Sequence, residues 1–248
     1  MRLRDLEDYT SAFLECARFR DYSPNGLQVE GRPEVKRLAS GVTASLALIE
    51  AAAEWGADAL LVHHGWFWKN EDSRVVGVKK RRLERLLSQG ISLLAYHLPL
   101  DAHPVYGNNA QLAGVLGAEV EGWFGEQAVG AYGPLGRSQA LGEWAAGIGR
   151  ALGREPLVIG DPDRPLARVA WCSGGAQGYF EQAVALGVDA FVTGEVSEYN
   201  FHLARETGVA FVSAGHHATE TLGVKALGGH LAERFGLDHL YIDIPNPV

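Results

Sequence analysis

The sequence predicts an α/β protein made of two related α/β lobes, and three observations carry that expectation. Short apolar runs of buried-strand type alternate with segments of helical period. The stretch Gly56-Ala-Asp-Ala-Leu-Leu-Val-His63 is echoed by Gly187-Val-Asp-Ala-Phe-Val-Thr-Gly194. Clusters of polar residues stand directly after the apolar runs. A chain of 248 residues accommodates one large domain or two lobes, and the repeat favours lobes at 1–128 and 129–248.

Residues 4–17 place Leu6, Tyr9, Phe13 and Leu14 at a helical period. A polar turn, Tyr22-Ser-Pro-Asn-Gly26, leads into Leu27-Gln-Val29. Residues 37–43 read as a strand ending in small side chains, and 44–55 as the helix that follows. Gly56 breaks that helix, and the apolar run 59–62 delivers His63 and His64 at its C-terminal end. A charged helix over 79–88 ends at Gly90, and a strand over 91–95 ends near His97 and Asp101. Residues 156–159 and 167–172 give two further strands, the second followed by the turn Ser173-Gly-Gly-Ala176. A helix over 179–186, the repeated G-x-D-A strand, a helix over 198–206 and a strand over 208–214 end at Gly215-His216. One order therefore recurs over 36–101 and 166–220. Two such lobes would turn the C-terminal ends of their strands toward a shared cleft, the edge at which open α/β sheets bind ligands.

Composition narrows the function classes. The chain is 47% hydrophobic and 21% charged, which excludes a disordered or fibrous protein. Its net charge of −8 argues against a chain whose main work is wrapping nucleic acid. Lys79-Lys-Arg-Arg82 reads as a solvated helix face. Cys16 and Cys172 are far apart and in no C-x-x-C spacing, so neither a disulfide framework nor a thiolate zinc knuckle is expected, and the cytoplasm is the natural compartment. The N-terminal residues carry charges in every turn, unlike a signal peptide, and no run approaches the ~18–20 apolar residues of a membrane span. Nine histidines, two pairs of them adjacent, are the surplus; with so few cysteines they point to nitrogen and oxygen metal ligands.

Three clusters give that surplus a chemistry. In Gly215-His-His-Ala-Thr-Glu220 a helix would put His216 and Glu220 at i and i+4, on one face, where an imidazole and a carboxylate converge on one cation; an ordinary intrahelical pair is the plain alternative. His63 and His64 point to opposite faces of a strand, but at its end both rings can reach one site; read alone, the doublet is one core histidine and one exposed. His97-Leu-Pro-Leu-Asp101 places a carboxylate able to bridge two cations just past a strand, and alone Asp101 reads as a helix cap. All three follow apolar strands at related positions of a repeat, and that joint placement favours a metal site made by His63, His64, Asp101, His216 and Glu220. Five such ligands suit two divalent ions about 3.5–4 Å apart, with Zn, Mn, Fe, Co and Ni all compatible. Trp66-Phe67-Trp68 reads as core or interface packing, with stacking on a planar base as the alternative. Ser173-Gly-Gly-Ala-Gln-Gly178 matches neither phosphate-loop fingerprint and reads as a turn. Glu195 stands opposite His64 in the repeat.

Asn25-Gly-Leu-Gln28, His63-His-Gly-Trp-Phe-Trp68, His97-Leu-Pro-Leu-Asp101, Gly194-Glu-Val-Ser-Glu198, Gly215-His-His-Ala-Thr-Glu220 and Ile242-Asp-Ile-Pro-Asn-Pro247, in this order, resemble the NIF3 family (GTP cyclohydrolase I type 2 homologue, DUF34), and most closely its short bacterial branch. The resemblance implies a two-lobed NIF3-like subunit, a dinuclear centre on the five residues named, and a toroidal homohexamer. It also suggests hydrolytic opening of a purine nucleotide ring. The expected function is a metal-dependent hydrolase of a nucleotide-like substrate, with His97 as proton shuttle. A non-catalytic metal chaperone or insertion factor and a nucleic-acid-binding ring are the alternatives.

Overall fold

The computed structural model describes residues Met1 to Val248. In chain order its principal elements are α1 (Leu3–Phe13), β1 (Gly26–Val29), β2 (Arg37–Thr43), α2 (Leu46–Trp55), β3 (Ala59–His64), α3 (Gly77–Gln89), β4 (Ser92–Ala95), α4 (Leu98–Ala102), α5 (Asn108–Leu116), β5 (Gly122–Phe124), β6 (Gly130–Ala140), α6 (Leu141–Leu152), β7 (Leu157–Ile159), β8 (Pro165–Trp171), α7 (Phe180–Ala185), β9 (Ala190–Thr193), α8 (Glu198–Thr207), β10 (Ala210–Ser213), α9 (His216–Phe235) and β11 (Asp238–Tyr241). No helix is long and apolar enough to cross a membrane. Two compact units result: Met1–Leu100 with Val224–Pro245, and Asp101–Gly223 with Asn246–Val248.

The first unit holds a five-stranded sheet in the order β1-β4-β3-β2-β11. Strands β4, β3, β2 and β11 run parallel and β1 closes the edge antiparallel. Alternation along β3 explains its continuous apolar run: Ala59 and Leu61 pack with Leu3, Leu6 and Leu227 from α1 and α9, whereas Leu60 and Val62 pack with Leu48, Ile49 and Leu86 from α2 and α3. A strand covered on both faces has no polar face to show.

The second unit repeats this core. Its sheet runs β5-β6-β8-β9-β10-β7, with β8, β9 and β10 parallel and β7 antiparallel at the edge. One face packs Val169, Val192 and Val212 against Leu112, Trp144 and Ile148 of α5 and α6. On the other, Phe180, Phe191 and Phe211 form an aromatic cluster with ring centroids 5.0–5.9 Å apart.

The G-x-D-A repeat has a physical cause. Gly56 and Gly187 adopt φ of 78° and 68°, left-handed values that glycine takes without strain as a helix ends. The aspartate that follows then ties two strands together. Asp58 Oδ2 accepts the N–H groups of Lys36 and Arg37 at 2.9 and 3.0 Å, and Asp189 Oδ2 accepts those of Ala167 and Arg168 at 2.8 and 3.0 Å. An arginine pairs with the other oxygen in each copy, Arg32 with Asp58 and Arg164 with Asp189. Strand registers equate Ala59 with Ala190 and Val62 with Thr193, so one and two residues further on His63 corresponds to Gly194 and His64 to Glu195.

Burial pulls the Asp58 carboxyl up, but the N–H groups of Arg37 and Lys36 and the Arg32 guanidinium together hold it below its ordinary value. A carboxyl lowered by folding stabilises fully above its unfolded pKa of about 4, and that contribution is lost as pH falls through the folded value. Asp58→Asn is therefore expected to cost about 2 kcal/mol at pH 7 and progressively less below pH 4. Urea unfolding at a series of pH values measures it, and a cost that does not change with pH would contradict the role given to the charge.

Candidate metal centre

In the first unit three imidazoles gather at the strand ends. His63, fully buried at the end of β3, has its Nδ1 3.0 Å from the Tyr96 carbonyl. That carbonyl can only accept, so Nδ1 carries the proton and Nε2 the lone pair. His64 Nδ1 lies 3.1 Å from Thr43 Oγ1. His97, just past β4, is held at three points: its backbone N–H donates to Asn25 Oδ1 at 2.8 Å, its Nδ1 donates to Asp21 Oδ1 at 2.7 Å, and the next N–H, of Leu98, reaches Asp21 Oδ2 at 2.9 Å. Asn25 Nδ2 also donates to Asp21. Burial raises the Asp21 carboxyl, but the bond and charge of His97 and the Asn25 and Tyr22 donors outweigh it and leave it lowered. Ligand atoms of His63, His64 and His97 all lie within 4.8 Å of one another.

The aromatic run divides its work. Trp66 is core, its Nε1 donating to the Ala44 carbonyl at 3.0 Å and its backbone N–H to Gln28 Oε1. Phe67 is exposed at a left-handed φ of 63°, with Lys79 over its ring. Trp68 sets its plane edge-on to His97, centroids 5.0 Å apart. Lys80 pairs with Glu84 one turn along α3, as on a solvated helix face, whereas Lys79 is largely covered and pairs with Glu71 ahead of the helix.

In the second unit carboxylates dominate. Asp101 lies inside the short helix α4 rather than capping one, and Pro99 sits in that helix's first turn, where its missing N–H costs nothing. The Asp101 carboxylate is buried, and its Oδ1 accepts from Asn108 Nδ2 at 2.8 Å and Ser173 Oγ at 3.1 Å. His216 opens α9, and Glu220 stands one turn along it, as the i, i+4 reading requires. His216 Nε2 is 3.3 Å from Glu220 Oε1 and its Nδ1 is 2.7 Å from Glu195 Oε1. Glu195 is in turn held by Gln177 Nε2 at 3.3 Å. Burial would lower His216, but the bonds and charges of Glu220 and Glu195 prevail and raise it to about 9. The Ser173 turn is no phosphate cradle: the N–H groups of Gly174 and Ala176 donate to Thr219 and Thr193 within the unit.

The donor set fits a borderline divalent metal. It offers imidazole and buried carboxylate, and one ring nitrogen each of His63, His64 and His216 is engaged by a carbonyl, a hydroxyl or a carboxylate, the kind of outer partner that orients a ligating histidine. Cys172 adds no thiolate, because burial first, and then the charges of Asp101 and Glu220, push its thiol well up. Among the remaining histidines, His202 pairs with Glu198 on the surface, His230 bonds Tyr9 and His239 bonds Ser40. Asp21 gave no signal of a role in the sequence; Asn25 and Glu195 stand in motifs of the family resemblance, and the repeat points to Glu195 as well.

Two α/β units whose strand ends carry histidines and carboxylates place this chain among α/β proteins with side chains at the sheet edge that could hold a metal ion. The chain belongs to the Duf34/NIF3 (NGG1p interacting factor 3) family, whose profile matches residues 1–247. It is 56% identical to the GTP cyclohydrolase 1 type 2 homolog of Pseudomonas aeruginosa over 249 aligned positions, covering 99% of this chain and 98% of that one. A protein of the same name from Neisseria meningitidis serogroup B is 54% identical, with 99% and 98% covered. Among solved structures, one titled "protein ybgI, unknown function" superposes with a TM-score of 0.97 at 49% identity over all of both chains. TTHA1606 from Thermus thermophilus gives 0.92 at 39% identity, again over all of both chains.

Proposed function

We propose that this chain is a metal-dependent hydrolase acting on a nucleotide-like substrate, with two divalent ions held by His63, His64, Asp101, His216 and Glu220. The observation that carries the reading is the set of outer partners: Tyr96, Thr43 and Glu195 each engage a ring nitrogen of a proposed histidine ligand, and Asn108 and Ser173 fix the Asp101 carboxylate. Burial of this kind without a ligand to serve would be a costly way to arrange polar groups. Ions bound there would supply Lewis acidity toward an electrophilic carbon or phosphorus and lower the pKa of water.

The chain's own residues supply the rest. His97, anchored by Asp21 and Asn25, presents Nε2 as the nitrogen that takes and returns a proton, and the Asp21 carboxylate stabilises the ring when it is protonated. Trp68 beside it and the exposed edge of Phe67 offer flat apolar surface to a planar base. The names of the curated relatives support a purine nucleotide as the first substrate to try. We further propose a toroidal homohexamer working in the cytoplasm, for which light scattering of the purified chain gives the assembly.

The test is elemental analysis of protein purified without chelator or affinity tag, followed by a hydrolase screen with the metals found. Two ions per chain and a turnover abolished by His64→Ala or Glu220→Ala are expected. Full activity of the metal-free double variant would refute the reading, and metal transfer to an acceptor without any turnover would favour the chaperone alternative.

A further inference from the structure

We propose that His63, His64 and His97 form a metal site in their own right, in which His97 is a ligand, and that this site holds a single transition-metal ion without any carboxylate. The proposal deepens the reading above and rests on its premise that the strand-end imidazoles bind metal. It changes the role of His97 in the singly loaded state from proton carrier to ligand.

Geometry is the first support. The three rings stand with centroids 4.6, 5.1 and 5.7 Å apart, and their ligand atoms lie within 4.8 Å of one another. Nitrogens bound tetrahedrally at 2.0–2.1 Å are separated by about 3.4 Å, so closing on an ion needs roughly an ångström of side-chain rotation and no movement of the sheet. All three residues come from adjacent parallel strand ends, His63 and His64 from β3 and His97 from just beyond β4, which fixes their spacing through the ladder between Val62 and Ala95.

Tautomer control is the second support. The Tyr96 carbonyl takes the Nδ1 proton of His63 and the Asp21 carboxylate that of His97, so in both rings the lone pair is on Nε2. Thr43 Oγ1, a hydroxyl that can donate or accept, engages Nδ1 of His64 and orients that ring. The same preparation serves a ring that passes protons and a ring that binds metal. His97 has more of it than they do, because Asn25 fixes its backbone and Asp21 accepts from both its ring and the following N–H. A carboxylate behind an imidazole raises its basicity as a ligand. Three neutral imidazoles with an open fourth position select Zn, Co, Ni or Cu over Mn or Mg, so the first ion to load is drawn from that group.

The experiment uses the full chain and Co(II), whose visible bands report ligand type and coordination number. Asp101→Asn/Glu220→Gln removes the negative charge of the second unit's ligands, and His97→Ala is then added. The double variant is expected to bind one Co(II) per chain with the intense bands of a four-coordinate nitrogen-rich site, and adding His97→Ala to weaken that binding by more than about 100-fold. Asp21→Asn, which leaves all three rings in place, is expected to weaken it by about 10–100-fold. Circular dichroism checks that each variant is folded; should the His97→Ala protein not fold, Asp21→Asn and the size-conserving His97→Gln make the same comparison. A double variant that binds no Co(II), or one whose affinity ignores both His97 and Asp21, overturns the proposal. Failure of the wild-type chain to bind any metal would instead sink the dinuclear reading, whereas two ions in the wild type and none in the double variant would leave that reading standing and remove only this one.

Discussion

Gly194→Ala is expected to lower stability by about 3 kcal/mol, near the upper end for overpacking, and to displace His216. Melting should fall by roughly 6–12 °C for a chain of this size. Glycine is required here by space and not by backbone angle, since Gly194 is not among the positive-φ glycines. A Cβ at this position would lie 2.5 Å from His216 Cα and 2.7 Å from both the His216 nitrogen and the Gly174 carbonyl oxygen. All three are backbone atoms, and they cannot turn aside. They are pinned besides: Gly215 N–H and Ser213 Oγ both donate to the Gly194 carbonyl, and Gly194 N–H donates to Gly174. The strain would be relieved by moving the first turn of α9, which breaks His216 from Glu195 and Glu220. Nuclear magnetic resonance would then find the imidazole titrating well below the value of about 9 that those carboxylates impose. Gly229→Ala is the control. It lies exposed on the same helix with nothing near its missing Cβ, so alanine should be neutral or stabilise by up to about 1 kcal/mol. Equal behaviour of the two variants would contradict the account.

The same position shows how far the sequence alone could be read. Where the first unit carries the buried imidazole of His63, the second carries a glycine because the start of α9 crosses directly over it. The repeat was legible since its marks are local: a left-handed glycine, an aspartate that binds two consecutive N–H groups, and an apolar run covered on both faces. Strand ends could be located from those marks, and with them His63, His64, Asp101, His216 and Glu220. The segment between the copies resisted division. Strand β6 contains Gly130, Gly133, Pro134 and Gly136, which erase the alternation that marks a strand. Two of its other elements, α5 and α6, are visible only through the residues they bury. Partners of the site were hidden for another reason. Asp21 meets His97 across 76 residues and Ser173 meets Asp101 across 72, and contacts at such separations leave no periodicity to read. The polar turn around Asn25 looked like a connection; folding makes it the clamp on His97.

Asp101→Asn separates the two jobs of that carboxylate, and its effect should change sign with metal. Without metal, the buried carboxylates of Asp101 and Glu220 offer ligand atoms within 4.8 Å of each other, and like charges at that distance in a poorly solvated place repel. Asparagine keeps an oxygen to accept from Asn108 and Ser173 while removing one of the charges. The metal-free variant is therefore expected to melt higher than the metal-free wild type. Asp101→Ala should melt lower than both, because it leaves two buried donors without an acceptor at about 1–3 kcal/mol each. Adding metal reverses the order. A ligand at 1,000 times its dissociation constant stabilises by about 4 kcal/mol per site, which for this chain length is roughly 8–16 °C. On the two-ion reading proposed above, the wild type is expected to gain that increment twice, whereas Asp101→Asn is expected to stop at one ion and half the rise. Paired thermal melts of the three proteins, metal-free and metal-saturated, give both comparisons at once. If asparagine lowers the metal-free melting point as much as alanine does, the carboxylate is structural and the repulsion argument fails; if it leaves the metal-induced rise intact, Asp101 is no ligand.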